Sequence, residues 1–397
     1  MRFPWLILLY ILFPIVALAQ NGIITGTVTN ADTKKPLPRA SVFLSNSSAG
    51  TATAENGTFT LSSLRPGQYT LVVSILGYEQ YSKTILVGRE PLKLDIELTQ
   101  KPLMLREVVI SSDADWRKNY AEFRKEFIGT DENAKACTVM NPHILNLTYN
   151  PTKQLLHADA DEFLIVENKA LGYRVKFLIN DFRIDKIANI ISREGQQVFE
   201  ELPGSKAQKK KWHEKREEAY YGSAMHFYRS LYADKLNEAG FQIFKLTRYI
   251  NPQRPSDDII RRKFQFFKEQ RKADSANYYI DLSKMSKYYN ESLNKPAYMP
   301  FEILSSSGQP GIYNVHFPNY LYVVYNKKRE EQDYKDIYRP LEMPNYQTSV
   351  VTIQRPSTSF DIDMNGIVID NAPLYEGSWS KSRLSDMLPV DYVPDQK

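Results

Sequence analysis

The sequence holds one cysteine, Cys137, in 397 residues. No intrachain disulfide can form, so stability must come from buried apolar area, and 42% hydrophobic residues is ordinary for that task. The lone thiol is expected to be buried, because cysteine packs as a small hydrophobe. Histidine is also scarce: His143, His157, His213, His226 and His316. Three residues after them stand Asn146, Ala160, Arg216, Arg229 and Asn319. None is glutamate, which removes the H-x-x-E pair a zinc carboxypeptidase uses to hold its metal. No G-x-S-x-G elbow and no Walker A loop appear, so those hydrolase and nucleotide signatures are missing, and no cofactor is implied. Beyond the first twenty residues no apolar run approaches the roughly 18 residues that cross a bilayer as a helix.

The chain does carry an export signal. Arg2 supplies a positive start, Trp5 to Val16 an apolar run, and Ala17-Leu18-Ala19 a cleavage site. Residues 1–19 therefore read as a secretory signal peptide, with maturation at Gln20. No cysteine follows that site, which disfavours a lipid anchor. The formal charge of +5 is mild, and an exported chain is a poor nucleic-acid binder. Much of the charge is local, in "KAQKKKWHEKR" (Lys206 to Arg216). That run fits a solvated face better than a phosphate site, and leaves peripheral membrane association open.

Residues 20–100 read as six or seven short strands punctuated by turns. Ile24, Gly26 and Val28 alternate onto one face, as do Tyr69, Leu71 and Val73. Asn56-Gly57 and Pro66-Gly67 supply turns between them. Spacings near ten residues indicate an antiparallel sandwich. On Gly26, Val28, Pro36, Leu37, Ala40, Val42, Gly57, Phe59, Tyr69, Leu71, Gly77 and Tyr78, the segment resembles the carboxypeptidase-regulatory-like domain. The resemblance implies a transthyretin-like β-sandwich common in exported proteins of Bacteroidota; it implies a fold and not an activity. "LREVVISS" (Leu105 to Ser112) resembles the segment that follows this domain in outer-membrane receptors, and 101–115 is expected to be a linker or edge strand.

From 116 to 397 the pattern is a larger, mostly-β region with helices. Trp116, Tyr120, Phe123 and Phe127 mark one face of a helix near 115–128, capped at Ser112 or Asp113 and stopped at Gly129. Tyr173, Val175, Phe177 and Ile179 alternate as a strand. A helical pair is expected over Lys206–Tyr221 and Ser223–Glu238, and after Gly240 a return to strands. "AYYGSAMHFYRSL", "ENKALGYRVKFLINDF" and "MLPVDY" resemble a region of Bacteroidota proteins that carries the same first domain, and this brings no activity with it.

Three motifs invite chemistry. "HEKRE" (His213 to Glu217) is one residue short of H-E-x-x-H, with Glu217 in place of the second histidine inside a cationic run, so no metal is expected. "DIDMNG" (Asp361 to Gly366) opens like a calcium loop, but its twelfth position is Ala372 and its apolar alternation fits a hairpin. "KREEAYYGSAMHFYRSL" (Lys215 to Leu231) is mostly a helix start at Gly222-Ser223 followed by a core face. Its residues Arg216, Tyr220 and His226 form the candidate partner- or ligand-binding cluster, with no catalytic residue assigned. The 26 tyrosines, including the pairs Tyr278-Tyr279 and Tyr288-Tyr289, fit strands better than a sugar-stacking surface. "DSA" (Asp274 to Ala276) resembles a Bacteroidota O-glycosylation triplet. The expectation is a non-enzymatic module of the periplasm or outer membrane that meets an envelope protein. A glycan- or peptide-binding protein is the alternative. A hydrolase built on a carboxylate pair stays open, because such a pair obeys no spacing rule.

Overall fold

The computed structural model describes residues 22–101, 112–294, 297–309, 311–330 and 344–395. The expected signal peptide and most of the 101–115 segment lie outside them. The chain is mostly β with interspersed helices, as its periodicities indicate.

The first seven strands are β1 (Gly22–Asn30), β2 (Ser41–Leu44), β3 (Gly50–Ala52), β4 (Thr58–Leu64), β5 (Gly67–Ser74), β6 (Tyr81–Val87) and β7 (Leu92–Leu98). They form two sheets, β4-β1-β7 and β3-β2-β5-β6, with β1 and β7 parallel. Their inward faces build one core that includes Ile24, Val28, Val42, Tyr69, Leu71 and Val73. Gly26 has a plain physical reason to be glycine. A Cβ there would overlap the Leu94 carbonyl of β7 and the Phe59 ring of β4.

A second layer follows. Helix α1 (Asp113–Ile128) begins where Ser112 accepts a hydrogen bond from the Asp115 amide and ends at Gly129. A single turn, α2 (Glu132–Lys135), leads into β8 (Cys137–Val139), β9 (Asn146–Asn150), β10 (Leu155–Asp159), β11 (Leu164–Asn168), β12 (Tyr173–Asp185) and β13 (Ile190–Glu201). These six strands make one sheet around the long β12. A bulge between Ile179 and Asp181 shifts its register, so the buried set runs Tyr173, Val175, Phe177, Ile179 and then Phe182 and Ile184. Phe123 and Phe127 of α1 pack edge-on against Phe177 and Phe182 at 5.0–5.6 Å. Cys137 is buried in this core, and burial pushes its thiol up to about 12.

Helices α3 (Lys206–Tyr220), α4 (Ala224–Tyr232) and the turn α5 (Leu236–Ala239) come next. The second member of the expected pair is shorter than its apolar pattern: it stops at Ala233, and Asp234 takes a φ of 56°. The rest of the chain builds β14 (Phe241–Ile250), α6 (Asp257–Glu269), α7 (Ala273–Ser283), β15 (Tyr288–Leu293), the turn α8 (Pro300–Ile303), β16 (Leu304–Ser306), β17 (Ile312–His316), β18 (Tyr320–Arg329), β19 (Tyr346–Thr352), β20 (Ser359–Asp363), β21 (Leu374–Gly377) and the turn α9 (Ser378–Lys381). Sheets β15-β14-β18-β19-β21 and β16-β17-β20 enclose Phe227, Tyr228 and Leu231 of α4. The helical hairpin α6–α7 departs from the expected run of strands. Ser256 caps α6, Asp257 and Asp258 fill its first turn, and Ile260 and Phe264 are buried with Ala276 of α7. Tyr278 and Tyr279 are thus helical, and Asp274 to Ala276 open α7 rather than a loop.

The sandwich is docked on the second layer. Phe43 and Val72 point out of its own core, yet are buried under Leu178, Val198 and Phe163. Backbone bonds reinforce the contact, from the Asn46 amide to the Gln197 carbonyl and from the Phe199 amide to the Ser47 carbonyl.

Gly172, in the β11–β12 turn, combines a φ of 70° with a Trp212 ring lying where its Cβ would be. Gly172→Ala is expected to destabilise the chain by about 2–4 kcal/mol, read by urea unfolding, because strain and overlap add. A Gly77→Ala control, where nothing lies within 4 Å, meets only the strain of its φ of 86° and should lose less.

Candidate functional site

The candidate cluster lies at the corner between α3 and α4. Ser205 and Gln208 close a capping box that fixes the start of α3. Trp212, two turns on, donates its indole N–H to the Lys169 carbonyl at 2.9 Å. Arg216 then reaches the same β11–β12 turn. Its Nε donates to Leu171 O at 2.7 Å and its Nη2 to Gly172 O at 3.3 Å. Its Nη1 pairs with Glu201 at 3.0 Å, and the guanidinium lies 3.9 Å from the Tyr173 ring centre. Arg216 is therefore a clamp between helix and sheet.

Tyr220 and His226 do meet, with ring centres 4.9 Å apart, and both are buried. Gly222 turns the chain with a φ of 87°, and Ser223 caps α4. The Gly222 amide donates to His226 Nδ1 at 3.1 Å, which leaves the imidazole proton on Nε2. Tyr221, Phe241 and Tyr325 complete an aromatic cage around the ring. Burial, and then the charges of Lys327 and Arg229, lower the His226 pKa to about 4. The imidazole is neutral at physiological pH. The three candidate residues thus share one corner, where Arg216 is engaged by the backbone and Glu201 and His226 Nδ1 by the Gly222 amide.

Arg229, one turn after His226, organises more of the structure than any of the three. Its Nε donates to Asn365 O at 2.9 Å, Nη1 to Tyr392 O at 2.9 Å and Nη2 to Val390 O at 2.7 Å. A sequence signal existed: α4 contains no acidic residue that could pair with it. The segment it holds crosses between layers. Leu388 and Tyr392 sit in the second layer's core, and Val390 in the sandwich core. Asp391 accepts from the Ser48 amide at 2.8 Å and from the Ser48 hydroxyl. The "DIDMNG" stretch serves the same junction. Asp363 accepts from the Asn365 and Ile367 amides, and Asn365 Nδ2 donates to Gln68 O on β5.

A carboxylate pair is present. Asp386 is held up at about 6, chiefly by burial, with Asp131 adding to the shift and the Asn133 amide opposing it. Asp131 accepts from the Ala134 amide and the Ser385 hydroxyl, so it also caps α2. Arg248 is a buried charge, paired with Glu291 at 2.9 Å and Glu376 at 2.6 Å between the rings of Tyr288 and Tyr320. The cleft of about 790 Å³ beside α3 is lined by charged side chains such as Glu167, Arg174, Lys211 and Glu218, with the buried Trp212 its one aromatic. No helix among the described residues is long and apolar enough to cross a membrane.

Residues 24–110 match the CarboxypepD_reg-like domain. The resemblance drawn from Gly26 to Tyr78 is thereby shown for the sandwich. No curated protein matches the chain. Among solved structures, the chain is similar to the group B streptococcus pilus 2b backbone protein at 20% identity and a TM-score of 0.19, over 20% of this chain and 42% of that one. It is similar to BcpA, the major pilin subunit of Bacillus cereus, at 20% identity and a TM-score of 0.18, over 21% and 31%. A chain of a type II Cohesin-X-Dockerin complex from Acetivibrio cellulolyticus gives 15% identity and a TM-score of 0.18, over 19% and 56%. Each match spans about a fifth of this chain and less than two thirds of the other, and carries no functional argument.

Two outcomes follow from the corner. His226 stays neutral when folded but takes a proton near pH 6.5 when unfolded. Its contribution is present above pH 6.5 and lost as pH falls toward 4. His226→Gln keeps an acceptor for the Gly222 amide. The stability advantage of wild type over this variant should shrink by about 2–3 kcal/mol between pH 7.5 and 4.5, and a pH-independent difference would refute the assignment. Arg229→Lys should cost about 2–4 kcal/mol, because a single ammonium cannot span three carbonyls, and should speed C-terminal proteolysis.

Proposed function

We propose that this chain is a non-enzymatic interaction module of the cell envelope, exported to the periplasm or the outer membrane, that docks a partner protein through the insertion between β14 and β15 and the strand ends that flank it. One observation carries this reading. Six of the fifteen large apolar side chains exposed among the described residues fall between 249 and 289: Tyr249, Ile250, Ile259, Phe266, Tyr278 and Tyr289. Ile250 is 75% exposed and Tyr289 62%. The same segment exposes Arg262, Lys263, Lys268, Arg271 and Lys272 interspersed with Asp258, Glu269, Asp274 and Asp281, which leaves a mild excess of cations. Apolar anchors within a cationic surround fit a partner with an apolar, acid-rimmed face. The candidate corner, by contrast, is turned inward, and the reading assigns it the internal role of joining the layers. The exposed Tyr249–Tyr289 pair, 6.2 Å between ring centres, favours a peptide or glycan ligand as the second reading.

The test is crosslinked affinity purification of the tagged chain from its native envelope, with two double variants. Phe266→Ser/Tyr278→Ser removes anchors; Lys268→Glu/Lys272→Glu reverses charge. Wild type should recover one envelope protein reproducibly, and each variant about tenfold less at unchanged melting temperature. Equal recovery by all three, or none by wild type, overturns the reading. In the second case, binding to soluble glycans or peptides that is lost in Tyr249→Ala decides for the alternative.

A further inference from the structure

We propose that His213, Glu217 and Asp395 form a site for a borderline divalent cation of the zinc class, which fastens the end of the chain to α3. His213 and Glu217 stand one turn apart on that helix, and Asp395 arrives from the segment that Arg229 holds. One ligand atom from each lies within 4.8 Å of the others. His213 Nε2 is 2.9 Å from Asp395 Oδ2 and 4.0 Å from Glu217 Oε1. Donors bound at about 2.0–2.2 Å in a tetrahedral shell stand roughly 3.3–3.6 Å apart, so the two distances bracket what a shared ion needs. An imidazole with two carboxylates selects zinc-like ions over calcium or magnesium, which prefer all-oxygen shells. Two carboxylates also neutralise the dication.

The surroundings support the site. Among the described residues the buried Tyr392 hydroxyl makes no hydrogen bond, and it interacts electrostatically with Glu217. It offers a partner for a water on the ion. Half of the cationic run, which from sequence argued against a metal, pairs elsewhere. Lys209 and Arg216 turn to Glu201, and Lys215 to Glu218. Lys210, three residues before His213, remains on the same helical side and weakens the site without closing it.

The experiment is calorimetric titration of the full chain with zinc chloride, alongside timed C-terminal proteolysis with and without the metal. The buried Cys137 thiol does not compete for zinc. Wild type should bind one zinc ion and slow its C-terminal cleavage. Calcium should do neither. His213→Ala, on the exposed side of α3, and Asp395→Ala should each weaken binding about tenfold or more and abolish the protection. Asp395 is largely exposed, so its variant folds whatever happens to the other. No zinc binding by wild type, or binding that survives both substitutions, overturns the proposal.

Discussion

Arg229 donates to the carbonyls of Asn365, Val390 and Tyr392, and the layers of this chain meet where it does so. All three acceptors are neutral, so the guanidinium charge needs compensation from elsewhere. Asp363 supplies part of it. It is buried, its Oδ1 accepts from the Asn365 and Ile367 amides and its Oδ2 from Asn365 Nδ2, and it interacts electrostatically with Arg229. A half-buried cation held this way beside a buried carboxylate is costly to remove, since the loss leaves Asp363 uncompensated. Helix α4, the β20 turn and the C-terminal segment are therefore one cooperative unit.

That unit changes what the sandwich is. In a freely tethered domain Phe43 and Val72 would face water; here Leu178, Val198 and Phe163 bury them. The loop at Asn46 and Ser47 adds backbone bonds to β13, and Ser48 binds Asp391. Movement of the sandwich against the second layer would expose apolar area and break several hydrogen bonds at once. A rigid platform of this kind presents surfaces that do not take part in the junction, among them the α6–α7 insertion with Ile259, Phe266 and Tyr278 exposed.

Elements with a strong local period were legible in the sequence. The faces of β1 and β5, and α1 from its Ser112 cap to Gly129, stand as their patterns read. The helix after Ser223 was legible in its start but not its end. Leu236 continues the apolar spacing, and the break at Asp234 has no proline or glycine to mark it. The α6–α7 hairpin was missed because its buried set is short, Ile260, Phe264 and Ala276, and its exposed aromatics blur the period. At the corner, residue types suggested a site. Only three dimensions show that Arg216 binds the carbonyls of a turn and that His226 accepts from the backbone. Arg229 and the segment it anchors were least legible, because contacts across more than 130 residues leave no local pattern.

Two perturbed side chains of this region act on stability with opposite signs in the acid range. Asp386 takes up its proton at about 6 rather than in the ordinary aspartate range, so the folded state gains relative stability as pH falls through that window. His226 refuses a proton until about pH 4, so the folded state loses relative stability over nearly the same window. Both shifts come chiefly from burial: Asp386 lies just before the segment that Arg229 holds, and the tilted His226 and Tyr220 rings meet beside Tyr392. Between pH 4 and 6 the two contributions oppose each other. An even acid response in the wild-type chain would therefore conceal two buried groups working against each other, which single substitutions separate.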